Sequence, residues 1–191
     1  MSHIKVHAED WKSRRACIST YWLNKSSDLR AAAGAVWHCM KSDPSSAIPI
    51  ALGLGKGFSM SVATRPVYEM LCGMALELAF KAVAVSKGKR PISTHNLLKL
   101  SEHAEGVPLT AKQKQLLEML TESIYWQGRY PVPKELKSMD KYLDLARAAY
   151  LSPIRIGKFK GFRSNRSDPL DWDRFQSLWA AALVGYVQAT E

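Results

Sequence analysis

The chain has 191 residues, 47% of them apolar and 23% charged, and a formal net charge of +10. That length and balance suit one domain spanning residues 1–191 with a real core, and exclude a wholly disordered chain. The positive surplus points to an anionic partner such as RNA, DNA, a nucleotide or a membrane surface, and says nothing of fold.

In chain order, the N-terminal MSHIKVHAEDWKSRR lacks the apolar centre of a signal peptide. No uncharged apolar run approaches the roughly 18 residues needed to cross a bilayer, so a soluble, cytoplasmic protein with no membrane partner is expected. His3 and His7 stand at i, i+4, a chelating spacing on a helix, but a frayed end is the simpler reading. Cys17, Cys39 and Cys72 fall in helical patterns without zinc-site spacing, so reduced thiols and no metal or cofactor are expected.

From about Ala8 to Met40, residues Trp11, Ile18, Trp22, Leu29, Ala33, Val36, Trp37 and Met40 recur at helical spacing. One long helix is predicted, running through the polar stretch Asn24–Asp28. The alternative is two helices, the second capped near Ser27 or Asp28. Residues 42–65, with two prolines and three glycines, read as a long apolar loop. Gly53, Gly55 and Gly57 around Lys56 have the flavour of a phosphate loop without the Walker spacing. Ile48, Ile50, Leu52, Leu54, Phe58 and Met60 favour packing over the bundle or on another subunit.

Pro66 to Lys87 is apolar almost all the way round, with Val67, Leu71, Met74, Leu78 and Val85 as one stripe. A helix with no wet face belongs at the centre of a bundle. Gly73 within it implies close approach of a neighbouring helix. Glu77 and Lys81, at i and i+4, are predicted to form a buried ion pair.

A third helix is predicted from a Thr94 cap to about Gly106. The next opens at Thr110 with a Gln113 capping box and ends at Trp126–Gly128. Another spans Pro133 to Tyr150 and is stopped by Pro153. Residues 152–167 read as a basic loop, and within it 155–166 carries five cations, no acid and two aromatics. Charges for phosphates and rings for bases are what a single-stranded nucleic acid needs, so Arg155, Lys158, Phe159, Lys160, Phe162, Arg163 and Arg166 are candidate contacts, against the bland reading of a solvated loop. In the last helix Asp168 is expected to cap, Pro169 to open the first turn, and Asp171 and Asp173 to suit the dipole. Trp22, Trp37, Trp126 and Trp179 are assigned to core or dimer contacts. No strand is visible, and the predicted fold is all-α.

Glu77-x-x-x-Lys81, then Thr94-His95-Asn96-Leu97-Leu98-x-Leu100, then Gly128-Arg129-Tyr130-Pro131, follow one another in an order that resembles HEPN domains. These are small helical bundles associated with minimal nucleotidyltransferases and with prokaryotic defence and toxin–antitoxin systems. The resemblance implies an up-and-down bundle of five to six helices with no sheet, a homodimer, and RNA or nucleotide binding, with Tyr130 among the contacts. Some members of that family are metal-independent ribonucleases carrying an arginine and a histidine separated by four to six residues, near the start of a late helix. Here only Arg90 and His95 have that spacing, and they precede the third helix, with Pro91 after the arginine.

Three functions follow. The first is a binding module acting with a partner such as a nucleotidyltransferase. The second is a ribonuclease in which His95 moves the 2′-hydroxyl proton while Arg90 or Arg129 steadies the phosphate. The third is a docking component of a defence complex. The missing late-helix pair favours the first over the second. For Arg129, a buried pair with Glu77 locking two helices is preferred over a phosphate contact.

Overall fold

The computed structural model describes residues 11–41, 47–55, 57–165 and 167–187. Six helices form the bundle: α1 (Ser19–Lys41), α2 (Arg65–Ser86), α3 (Leu97–Ala104), α4 (Ala111–Glu122), α5 (Leu136–Tyr150) and α6 (Trp172–Val187). Short helical turns occupy Ala47–Ala51 and Met60–Ala63, and α4 runs on into a π-helical turn, Ser123–Gln127.

The central element is α2, as its composition requires. Only Val67 on it is exposed. It packs along α1 and also touches α3, α4, the π-turn and α6. The stripe read from sequence is nevertheless its outer one: Leu71, Met74 and Leu78 are half-buried. Tyr68, Cys72, Ala75, Leu76, Ala79, Phe80 and Val83 fill the core with Leu97, Leu117, Leu120, Phe175 and Leu178. Hydropathy alone does not orient a helix that is apolar on every side. Gly73 allows the π-turn to sit against α2, since a Cβ there would lie 2.9 Å from Ile124 Cγ1.

The first helical stretch is broken, at Cys17–Ile18 and not at the polar segment. Trp11 and Ile18, placed on the buried stripe by spacing, are exposed. Asn24–Asp28 continues as helix because Ser26 finds partners in the core: its hydroxyl donates to the Ala75 carbonyl at 2.7 Å and accepts from Trp179 Nε1 at 2.9 Å. Trp37, Trp126 and Trp179 are core residues and Trp22 is half-buried.

Several boundaries move. Asn96, not Thr94, caps α3, its Oδ1 accepting from the Lys99 amide at 3.0 Å, while Thr94 Oγ1 receives the Asn96 amide. The Thr110–Gln113 capping box of α4 forms as expected. Asp171 caps α6 through the Arg174 amide at 2.8 Å, because Asp168 is engaged elsewhere. The apolar segment after α1 is partly helical, and Ile50, Leu52, Leu54 and Phe58 remain exposed. His3, His7, Lys56 and Arg166 lie outside the described residues.

The expectation of no sheet is wrong. Leu151–Ile156 (β1) and Phe159–Ser164 (β2) pair antiparallel, with Ile156 opposite Phe159 across the two-residue turn Gly157–Lys158. Gly157 supplies the positive φ that the first position of such a turn demands (61°). Pro153 lies inside β1 and stops nothing. A two-stranded ribbon is all edge, where a missing N–H is tolerated.

Candidate nucleic-acid interface

The hairpin leaves the bundle at the end of α5, its main contact being β1 against that helix. Asn165 clamps its base: the amide donates to the Tyr150 carbonyl at 2.8 Å, the side-chain nitrogen to the Ala149 carbonyl at 2.8 Å, and Ser152 Oγ donates to Asn165 Oδ1.

Register sorts the side chains into two faces. One face carries Ile154, Ile156, Phe159 and Arg163, and the other Pro153, Arg155, Lys160 and Phe162. Phe159 is 81% exposed and Phe162 57%. The Arg147 guanidinium lies 5.8 Å from the Phe162 ring centre, extending the basic surface onto α5. Arg155 and Lys160 are directly opposite one another. Like charges in that position repel, and an anion between them removes the penalty.

His95 sits just ahead of α3, outside its first turn. Its Nδ1 donates to Glu77 Oε2 at 2.9 Å, and Lys81 Nζ donates to Glu77 Oε1 at 2.7 Å. The predicted pair is therefore a triad in which a buried carboxylate is shared by a buried lysine and a histidine whose side chain is 57% exposed. Nε2 of that ring has no hydrogen-bond partner among the described residues. A carboxylate on Nδ1 fixes the tautomer that leaves Nε2 as the basic nitrogen.

The π-turn aims Tyr125 at this ring, edge-on at 5.7 Å between centroids. The expected Arg129–Glu77 pair does not form. Arg129 is exposed and donates to the Tyr125 carbonyl at 2.8 Å, since Lys81 and His95 already occupy both oxygens of Glu77. The Arg129 guanidinium lies 5.4 Å from the exposed Tyr130 ring. Arg90 is exposed, and its carbonyl accepts from His103 Nε2 at 3.0 Å.

A third cluster escaped the sequence reading. Buried Glu69 accepts four bonds: from Arg65 Nε (2.9 Å), Tyr150 OH (2.9 Å), Tyr142 OH (3.1 Å) and Ser123 Oγ (3.3 Å). Arg65 also grips Asp168 through both terminal nitrogens, at 2.5 and 2.9 Å. Burial alone would lower the Arg65 pKa, but the Asp168 bond and the fields of Tyr150, Glu69 and Asp168 outweigh it and hold the guanidinium charged. Burial opposes ionisation of Asp168, yet the Arg65 bond and charge keep its carboxyl below the ordinary value. Burial, then Glu69, pushes the Tyr142 and Tyr150 hydroxyls up, so they stay neutral donors.

A cavity of about 420 Å³ opens beside this cluster toward Ser164, Asn165 and Ser167. With every carboxylate oxygen of Glu69 engaged, its role is to position the hairpin base against α2. The signal was present at Arg65 and Glu69, which are i and i+4, but a helix begun at Pro66 omits the arginine.

Among the described residues no group of three or more His, Cys, Asp or Glu side chains is placed to hold a metal, and no helix is long and apolar enough to cross a membrane.

Residues 69–150 match the family model described as HEPN domain. This segment is similar to a HEPN domain. It runs from Glu69 on α2 to Tyr150 at the end of α5, so it contains the His95–Glu77–Lys81 triad and stops where the hairpin starts. Neither a curated protein nor a solved structure matches the chain. The HEPN motifs read from Glu77 to Pro131 all fall within the matched residues.

Proposed function

We propose that the protein is a HEPN-type RNA- or nucleotide-binding module of a prokaryotic defence or toxin–antitoxin system, cytoplasmic, homodimeric, and acting with a partner such as a nucleotidyltransferase. The observation that carries this reading is the hairpin: Arg155 faces Lys160 across the ribbon, Lys158 sits at the turn, and the Phe159 and Phe162 rings are exposed on either face. Phosphates relieve the facing charges and bases stack on the rings, which suits a single strand better than a duplex.

The test is RNA binding measured against salt. Replacing Lys158, Lys160 and Arg163 together by Ala should weaken binding and lower the slope of log K against log salt by about 2, at about 0.7 per phosphate contact. An unchanged slope would exclude the hairpin and favour protein docking.

A second reading rests on the His95 triad. Nε2 would take the 2′-hydroxyl proton, Glu77 would support the charged ring, and Arg129 beside Tyr125 would face the phosphate. Arg90 is the alternative cation. Under this reading RNA is cut without divalent metal, and His95→Ala abolishes cutting while leaving binding intact. Absence of metal-free cleavage by the wild-type protein would sink it.

A further inference from the structure

Beside the hairpin lies a second basic feature that the sequence did not suggest. A groove of about 740 Å³ runs between the start of α4, the end of α5, the base of the ribbon and the first turn of α6. Its polar wall includes Lys112, Gln113, Ser152, Arg163, Arg174 and Ser177, and neither Asp nor Glu is among the described residues that line it. Lys112 and Arg163 are exposed and form no ion pair with any described residue. Arg174 is fixed by Ser167 Oγ at 3.1 Å and by the Asp168 carbonyl, with Asp171, outside the groove, at 3.4 Å.

The floor differs from the wall. Leu116 and Leu178 are buried and apolar, and Leu145 is half-buried. Three cations without a lining carboxylate suit a phosphate, an apolar floor suits the flat face of a base, and the volume falls in the ordinary range for a small-molecule site.

We propose that this groove binds the phosphate of a single nucleotide, with its base over the leucine floor. The nucleotide is either free or the phosphorylated end of an RNA strand. The inference deepens the RNA reading through Arg163, which belongs to both features, but stands on Lys112, Arg174 and the floor.

The test uses the full chain and two exposed groove positions that lie outside the hairpin itself, Lys112→Glu and Ser177→Asp. The probes are ATP, and one short single-stranded RNA prepared with phosphorylated or with hydroxyl ends. The phosphate-bearing ligand should bind either variant about tenfold more weakly, the loss expected for a charge-assisted contact, while hydroxyl-ended RNA binds as to the wild type. Sensitivity of ATP marks a free nucleotide as the occupant, and sensitivity of phosphate-ended RNA marks a strand end. Equal affinity for both RNA forms, with ATP binding absent or unaltered in the variants, overturns the groove while leaving the hairpin reading in place. ATP binding lost in the variants, with no RNA binding by the wild type, upholds the groove and removes the hairpin reading.

Discussion

Two glycines set how closely the π-turn meets α2. A Cβ at Gly128 would lie 2.5 Å from Met70 Cβ and 3.0 Å from the Pro66 carbonyl, and neither of these two atoms is the end of a flexible side chain. At Gly73 the clash is milder, with Ile124 Cγ1 at 2.9 Å and the Leu120 carbonyl at 3.1 Å, and alanine returns about 1 kcal/mol of helix propensity. Overpacking costs about 1–3 kcal/mol, so both Ala variants should be destabilised, Gly128→Ala by more. Thermal unfolding should rank them, at about 2–4 °C per kcal/mol for a domain of this size.

Glu69 is the other residue with a large expected effect. Glu69→Ala strands the Tyr142 and Tyr150 hydroxyl donors and removes one of the two carboxylates on Arg65, a loss of about 3–5 kcal/mol by denaturant unfolding, whereas Glu69→Gln retains an acceptor and loses less. Asp168 gives a pH signature. Its carboxyl is held below its ordinary value in the folded state, so its contribution is present above the unfolded pKa of about 4 and disappears as pH falls through the lower folded value. The stability gap between wild type and Asp168→Asn should therefore be widest near neutrality and narrow in acid. A gap independent of pH would contradict the Arg65–Asp168 tie.

At the scale of elements, legibility followed burial. The α2 helix was plain because every side of it is apolar, and α4 because Thr110 and Gln113 form a local signature that needs no tertiary context. The hairpin was hidden for the opposite reason. Both its faces meet solvent, so the period-two alternation of a half-buried strand never develops, and only Gly157 within Ile156–Phe159 hinted at a turn. Its cations and aromatics were read as one set, and not as two faces with Arg155 against Lys160. Asp168 misled because a carboxylate two residues before an apolar run looks like a cap, and only the folded chain brings Arg65 to it. The clamp at Asn165 gives an element-level expectation. Asn165→Ala should loosen the ribbon's base, seen as faster amide exchange across 151–164 with the helices unaffected.

For the whole molecule, the +10 charge is not spread at random. The hairpin and the groove share Arg163, while the acids Glu69, Glu77 and Asp168 are each answered by a cation inside the bundle. The segment that matches the HEPN model supplies most of the central rod and the histidine turn. The ribbon and the last helix come from beyond it, which is why family motifs located one candidate site and were silent on the other.

Arg65 stands four positions before the matched segment and Asp168 eighteen after it, yet together they neutralise and brace its first residue. A fragment excised at the limits of likeness would begin with a carboxylate bereft of its counter-charge and end at a tyrosine whose neighbours had been cut away. The borders of resemblance are therefore not seams along which this protein can be divided.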